Sequence, residues 1–311
     1  MSKDSDPRDS DARDAVAWDA RERVDDVRDR DSIDPRDVFR EGLDLPRGRE
    51  RERVFIDGDA FELRGSEVRT LATIGAFRVV PVDELLDDRG RPGDLWHGDL
   101  DRLRSAELIR AVAPFDRDED RRTTLVTLTD RGRDLLESHR TPEHEPRQAF
   151  YSGDARAREL THDAQLYAAY VRTADRLQEY DVRIDRVVLD HELKREYQQF
   201  LHDRDRDHPD ADGRPDRAPK EIEQWAQEHD LPYFDGHVHF PDLRLEYEWA
   251  DGRRDIENVE VTTLHYRGAH AASKARAGFT RYRAGGGRVG ARTGRRGSRP
   301  FDPDIAGELL E

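Results

Sequence analysis

The sequence predicts an α+β protein in which a helical module closed by a β-hairpin precedes an α/β module, with unstructured charged ends on both sides. Three observations predict it. Between Ser66 and Leu108 apolar residues recur at helical spacing, and two β-prone runs follow. Residues 243–263 alternate apolar and polar side chains about an Asp-Gly turn, within a stretch otherwise patterned as helices. The two ends, 1–58 and 283–311, carry few large apolar residues.

Composition narrows the function classes. A length of 311 residues suggests two domains, and 34% hydrophobic residues with a mean hydropathy of −1.02 imply modest cores carrying long polar extensions. No cysteine is present, which removes disulfide frameworks, thiolate nucleophiles and cysteine-ligated zinc, and leaves the 12 histidines as possible ligands. No run of 18 apolar residues and no N-terminal apolar core argue against membrane insertion and secretion, so a cytoplasmic location is expected. A net charge of −16 argues against indiscriminate coating of nucleic acid, although local basic patches can override the average.

The N-terminal region alternates acids with arginines, as in Arg21-Glu22-Arg23 and Asp29-Arg30-Asp31, and is expected to be disordered or transiently helical. Ser66-Glu67 reads as a helix start for Val68, Leu71, Ala72 and Ile74. Pro81 to Leu86 reads as a short second helix with proline in its first turn. A third helix follows Gly93, spanning about 94 to 105, with Leu95, Leu100, Leu103 and Leu108 facing the core. Residues 108–112 and 123–129 are β-prone and are joined by the charged segment 116–122.

Three helices and a hairpin, in that order, make a winged helix-turn-helix, expected over 59–141. Val126-Thr127-Leu128-Thr129-Asp130-Arg131-Gly132 resembles the wing strand and following helix of winged-helix regulators, and Thr129 is placed to cap that helix through its hydroxyl. The third helix would then face the major groove, with Trp96, His97, Arg102 and Arg104 as DNA contacts and Arg121 and Arg122 added from the hairpin tip. Asp94, Asp99 and Asp101 oppose tight phosphate contact there. A winged helix used for protein interaction or for homodimerisation is the competing reading.

In the second half, 161–180 reads as a capped helix, 183–189 as a strand, Asp190 onward as a helix, 202–220 as a loop insertion and 221–229 as a helix. Leu243 to Trp249 places apolar residues at odd positions. Asp251-Gly252 turns the chain, and Ile256 to Thr263 returns with Val259 and Val261 apolar. Folding this hairpin about position 251 sets Asp242 opposite Glu260. Two carboxylates roughly 5 Å apart repel unless a proton or a hard cation such as Mg2+ lies between them. In a chain with 40% charged residues, facing acids on a solvated sheet face can also arise by chance.

A winged helix, a histidine-containing helix, an acidic segment after a strand, and a Pro-Asp hairpin ending in Glu260-Val261 together resemble the replication-relaxation family of plasmids and other mobile elements. That resemblance covers about residues 62 to 282. It implies a restriction-endonuclease-like α/β domain over 150–282 and a role for DNA binding in mobile-element replication, transfer or regulation. Asp242 and Glu260 match the nuclease-fold carboxylates, and Glu192 matches the acid of the early helix; together they would hold Mg2+ in an active enzyme. The family's nuclease pattern has lysine two residues after the glutamate, where this chain has Thr262. Lys274, on an expected helix from Ala269 to Tyr282, or His265 would have to assist. The missing lysine favours DNA binding over cleavage. An active Mg2+-dependent endonuclease and an interaction module without DNA binding are the alternatives.

Two further features invite function. From 281 to 299 the chain carries seven arginines and no acid among glycines, with Arg288, Arg292, Arg295 and Arg296 suited to phosphates or single strands; a solvated tail is the alternative. His237-Val238-His239 resembles the start of an amidohydrolase metal site. Such a site needs a long downstream barrel, however, and only 72 residues follow His239. On a strand, His237 and His239 would project together towards Asp242.

Overall fold

The computed structural model describes residues 34–87, 89–115, 123–142, 144, 147–153, 159–203, 217–262 and 276–283. Its first element corrects the expectation of an unstructured end running to residue 58. Pro35–Arg40 forms a 3-10 helix whose start is capped by Asp34, and its Val38 and Phe39 are buried. Phe39 packs edge-on against Phe77 with ring centroids 5.4 Å apart and tilts against Tyr170 at 5.0 Å. β1 (Glu52–Ile56) and β2 (Asp59–Leu63) then form a hairpin, turned through Asp57 and Gly58, which both have positive φ. Val54, Ile56, Phe61 and Leu63 point inward. Residues 1–33, the rest of the expected disordered region, lie outside the described residues.

α1 (Gly65–Ala76) begins one residue before the predicted start. Glu67 accepts from the Arg64 backbone N–H at 2.9 Å, which ties down the first turn. Glycine is required at 65, because a Cβ there would lie 2.2 Å from the Arg47 carbonyl. β3 (Val80–Pro81) follows. The predicted second helix is reduced to one 3-10 turn, Val82–Glu84, because Pro81 holds the chain extended and Val80 pairs with Val126. α2 (Gly98–Ser105) starts later than expected. Asp94 instead closes a turn, accepting from the Trp96 backbone N–H at 2.9 Å. All four predicted leucines, 95, 100, 103 and 108, are buried.

β4 (Ile109–Phe115) and β5 (Thr123–Leu128) pair antiparallel, giving the strand order β3-β5-β4. α3 (Asp130–Ser138) is capped as the sequence indicates: the Thr129 hydroxyl accepts from Gly132 N at 3.0 Å. That hydroxyl also donates to the Glu107 carbonyl at 2.6 Å. Leu135 and Leu136 return fully to the core.

Residues 147–153 lead into the second half. The Gln148 side chain donates to the Val187 carbonyl and accepts from the Val187 N–H, each at 2.9 Å, so one amide does the work of a partner strand at a sheet edge. α4 (Leu160–Gln178), β6 (Val182–Leu189), α5 (Asp190–His202) and α6 (Pro219–Glu228) fall where the pattern predicts them. A two-residue hairpin, β7 (Tyr233–Phe234) with β8 (His237–Val238), precedes the long strands β9 (Leu243–Trp249) and β10 (Arg254–Thr262).

β11 (Thr280–Arg283) runs parallel to β10 and completes a sheet ordered β11-β10-β9-β6, in which β9 is antiparallel to both neighbours. This overturns the end of the predicted helix 269–282. Thr280-Arg281-Tyr282 is β-prone and finds a partner edge in 259–262, while residues 263–275 lie outside the described residues.

Both faces of this sheet are covered. Leu243, Leu245, Val259 and Val261 join Tyr167, Tyr170 and Phe77 in one hydrophobic cluster that reaches back to Val38. On the other face Val188 packs with Leu193, Trp225 and Leu231 from α5, α6 and the turn beyond. The even-numbered face of β9 is therefore not simply solvated. Arg244 is 5% exposed, donating to Asn258 at 2.9 Å and to the carbonyls of His229 at 2.8 Å and Asp230 at 3.1 Å. Those carbonyls close the end of α6, where a cation complements the helix dipole. Among the described residues no helix is long and apolar enough to cross a membrane.

Candidate functional site

Asp242 stands immediately before β9. Continuing the β9/β10 register by one pair beyond Leu243 and Val259 sets it opposite Glu260, the arrangement predicted from the turn. Both carboxylates are buried, at 8% and 1% exposure. Oδ2 of Asp242 accepts from the Val261 backbone N–H at 2.8 Å, so the acid is part of the strand's own hydrogen bonding. Thr262, where the nuclease pattern has lysine, donates its hydroxyl to the Tyr282 carbonyl at 3.2 Å and thereby ties β10 to β11. Lys274 and His265, the suggested replacements, lie outside the described residues.

The first turn of α4, the histidine-containing helix, supplies a neighbour that no sequence pattern places at this site. His162 Nε2 lies 3.3 Å from Asp242 Oδ2, and its Nδ1 lies 3.4 Å from Asp163 Oδ1. Burial opposes charge on this ring, but the hydrogen bonds to Asp163 and Asp242 outweigh it and raise His162 to about 10. Asp163 is 4% exposed, and its second oxygen lies 3.0 Å from Nη1 of Arg78, which also stands 3.6 Å from Glu159. Arg78 comes from the first half of the chain, after α1, and has a left-handed backbone with φ 59°. A chain of charge thus runs Arg78, Asp163, His162, Asp242. The signals for it in the sequence are a single arginine in the apolar run Phe77 to Val80 and a His-Asp pair opening an amphipathic helix.

Glu192 belongs to a different constellation. Its carboxylate accepts from the Tyr151 hydroxyl at 2.8 Å and lies 3.6 Å from Arg186, which is itself held by Glu246 at 2.8 Å. Burial raises the Glu192 carboxyl, and the Tyr151 hydrogen bond and Arg186 partly offset the rise. Burial and the Glu192 charge together push the Tyr151 phenol far above its ordinary range. The neighbouring His191 packs edge-on against Tyr151 at 4.3 Å, and burial lowers its pKa. Among the described residues no group of three His, Asp or Glu side chains converges as a holder for a metal ion.

In the first half, Trp96 is 70% exposed and lies beneath the Arg104 guanidinium, 4.6 Å from the ring centroid. Arg104 also pairs with Asp101 at 2.7 Å and donates to the Leu95 carbonyl at 3.2 Å. Arg102 reaches Glu67 at 3.1 Å, a carboxylate fully buried and shared with Arg51 at 2.7 Å. His97 rests on Asp94 at 2.8 Å. The structure therefore brings Trp96 and Arg104 together and gives every predicted cationic contact of this helix an acidic partner. Arg121, Arg122, Arg288, Arg292, Arg295 and Arg296 lie outside the described residues.

The histidine pair does not project from a strand of the main sheet. His237 is exposed on the β7/β8 hairpin, and His239 stacks on Phe234 at 3.7 Å. A cleft of 750 Å³ opens elsewhere, lined by Arg176, Asp230, Asn258 and Phe279 among others, and neither Asp242 nor Glu260 lines it. No family model, curated protein or solved structure matches the chain.

Proposed function

We propose that this chain is a DNA-binding protein of the replication-relaxation type, acting in replication, transfer or regulation of mobile DNA. Its first half works as a winged helix, and its second as a restriction-endonuclease-like scaffold that holds DNA without cutting it. The observation that carries the reading is the unit formed by α1, the 3-10 turn, α2 and the β4/β5 hairpin, which leaves Trp96 exposed beside α2 with the half-buried Arg104 guanidinium over its ring. Major-groove readers present a short helix in this way, with planar and cationic side chains aimed outward. The second half supports the same reading by its order: α4, the antiparallel strands β6, β9 and β10, and then β11 parallel to β10.

Binding rather than cleavage is favoured by Thr262, which is uncharged and spends its hydroxyl on the Tyr282 carbonyl. The burial of Asp242 facing Glu260 favours the second reading, an Mg2+-dependent endonuclease. One experiment separates the readings: purified protein with labelled linear, supercoiled and single-stranded DNA, in Mn2+ or EDTA, with binding and cutting read on the same gels. A salt-sensitive shift in EDTA without cutting is expected. Metal-dependent cutting abolished by Glu260→Ala would replace the scaffold reading with the nuclease, and the absence of any shift would remove DNA as the partner.

A further inference from the structure

The carboxylate of Glu67 serves two arginines that arrive from different elements. Arg51 stands immediately ahead of β1, and Arg102 lies on α2. Arg51 Nη2 donates to Glu67 Oε1 at 2.7 Å and Arg102 Nε donates to the same oxygen at 3.1 Å, while Oε2 takes the Arg64 backbone N–H. We infer that these two guanidiniums form a clamp for one backbone phosphate of duplex DNA, and that Glu67 is the positioning residue that holds them side by side. The inference rests on the DNA-binding reading and deepens it, adding a contact from ahead of the winged helix to those on α2.

Local structure brings Arg51 there. The Gly65 N–H donates to the Gly48 carbonyl at 2.8 Å, and the missing Cβ at 65 admits the Arg47 carbonyl, so the chain entering β1 is fastened to the first turn of α1. Charge and exposure supply the rest. Two cations sharing one carboxylate oxygen leave a net positive charge and repel one another, and a second anion relieves both effects. Glu67 is fully buried, whereas the side chains of Arg51 and Arg102 are 32% and 51% exposed, so the acid is out of a ligand's reach and the cations are within it. Neither arginine has a second partner among the described residues, and each guanidinium carries five N–H donors in a planar fork that matches phosphate oxygens. Asp99 and Asp101, the acids of α2, are themselves engaged by Arg64 at 3.2 Å and Arg104 at 2.7 Å. A fork held in place before binding loses less freedom when the phosphate arrives. Phosphate contacts of this kind fix a protein's register on the duplex without reading its sequence.

The test is the shift of a labelled linear duplex in EDTA across a salt series, for the full chain as wild type, Arg51→Ala, Arg51→Lys, Glu67→Gln and Arg53→Ala, each checked for its melting transition. Arg53 lies two residues on, is exposed and stands 4.0 Å from Glu62, so it controls for the loss of a surface charge. Arg51→Ala is expected to weaken binding about threefold to tenfold and to lower the slope of log affinity against log salt by about one. Arg51→Lys should keep that slope, and Arg53→Ala should match wild type. Glu67→Gln should weaken binding although it removes a negative charge; an acid acting only through its charge would give the opposite sign. Arg51→Ala that binds like wild type, equal losses in Arg51→Ala and Arg53→Ala, or a folded Glu67→Gln that binds DNA more tightly would overturn the clamp while leaving the DNA-binding reading in place. No shift by wild type at any salt would remove both. Should Glu67→Gln fail to fold, the two Arg51 variants decide the matter alone.

Discussion

Gly132 lies so close to the Leu108 carbonyl that a Cβ would stand 2.1 Å from the oxygen, which accounts for a glycine three residues beyond the Thr129 cap. Gly132→Ala is expected to destabilise by about 2–3 kcal/mol through forced backbone movement, against about 1–2 kcal/mol for Thr129→Ala, which loses the cap and the hydroxyl's bond to the Glu107 carbonyl. Chemical denaturation of the two variants measures the difference. Glu84 gives a residue-scale pH dependence. Burial and the neighbouring Asp83 raise its carboxyl to about 7 from 4.5, so the folded state holds the proton more tightly than the unfolded one. By linkage, stability falls as pH rises from about 4.5 to about 7. Glu84→Gln should therefore stabilise by about 1–3 kcal/mol at pH 8 and by little at pH 4, as read from melting curves across that range.

At the scale of elements, α2 carries the DNA prediction. Arg102→Ala and Arg104→Ala should each weaken the shift and lower the slope of affinity against salt by about one counterion. Trp96→Ala should weaken binding with no change in that slope. Unchanged affinity in all three variants would move the contact away from α2.

The same scale shows what a sequence can disclose. The β9/β10 hairpin is legible to the residue, since alternation and Asp251-Gly252 set its register and hence the facing of Asp242 and Glu260. The burial of Arg244 on its even face is not, because that depends on the end of α6, whose carbonyls come from residues 229 and 230. The helix expected through Tyr282 was misplaced where alanines give way to Thr280, and the free edge of β10 decided the outcome. Half of the candidate site, Arg78, His162 and Asp163, is assembled from elements far apart in sequence, and local pattern reveals no such meeting.

At the scale of the molecule, buried residues from Val38 to Val261 share one cluster, so the two halves are expected to unfold as one cooperative unit, even though length suggests two domains. Phe39→Ala is expected to cost about 3–5 kcal/mol and to lower the protection of amides in β5 and β9 alike, as hydrogen exchange would show. Separate losses in the two halves would mean two independent cores. The Phe39 contacts also carry a consequence for the history and engineering of such chains. A segment that lies ahead of both halves and packs on Phe77 of one and Tyr170 of the other is a keystone, and either half transplanted without it would carry an open aromatic socket. The halves are therefore not interchangeable cassettes, and a hybrid joined at residues 142–150 should inherit its solubility from whether Pro35–Arg40 travels with it.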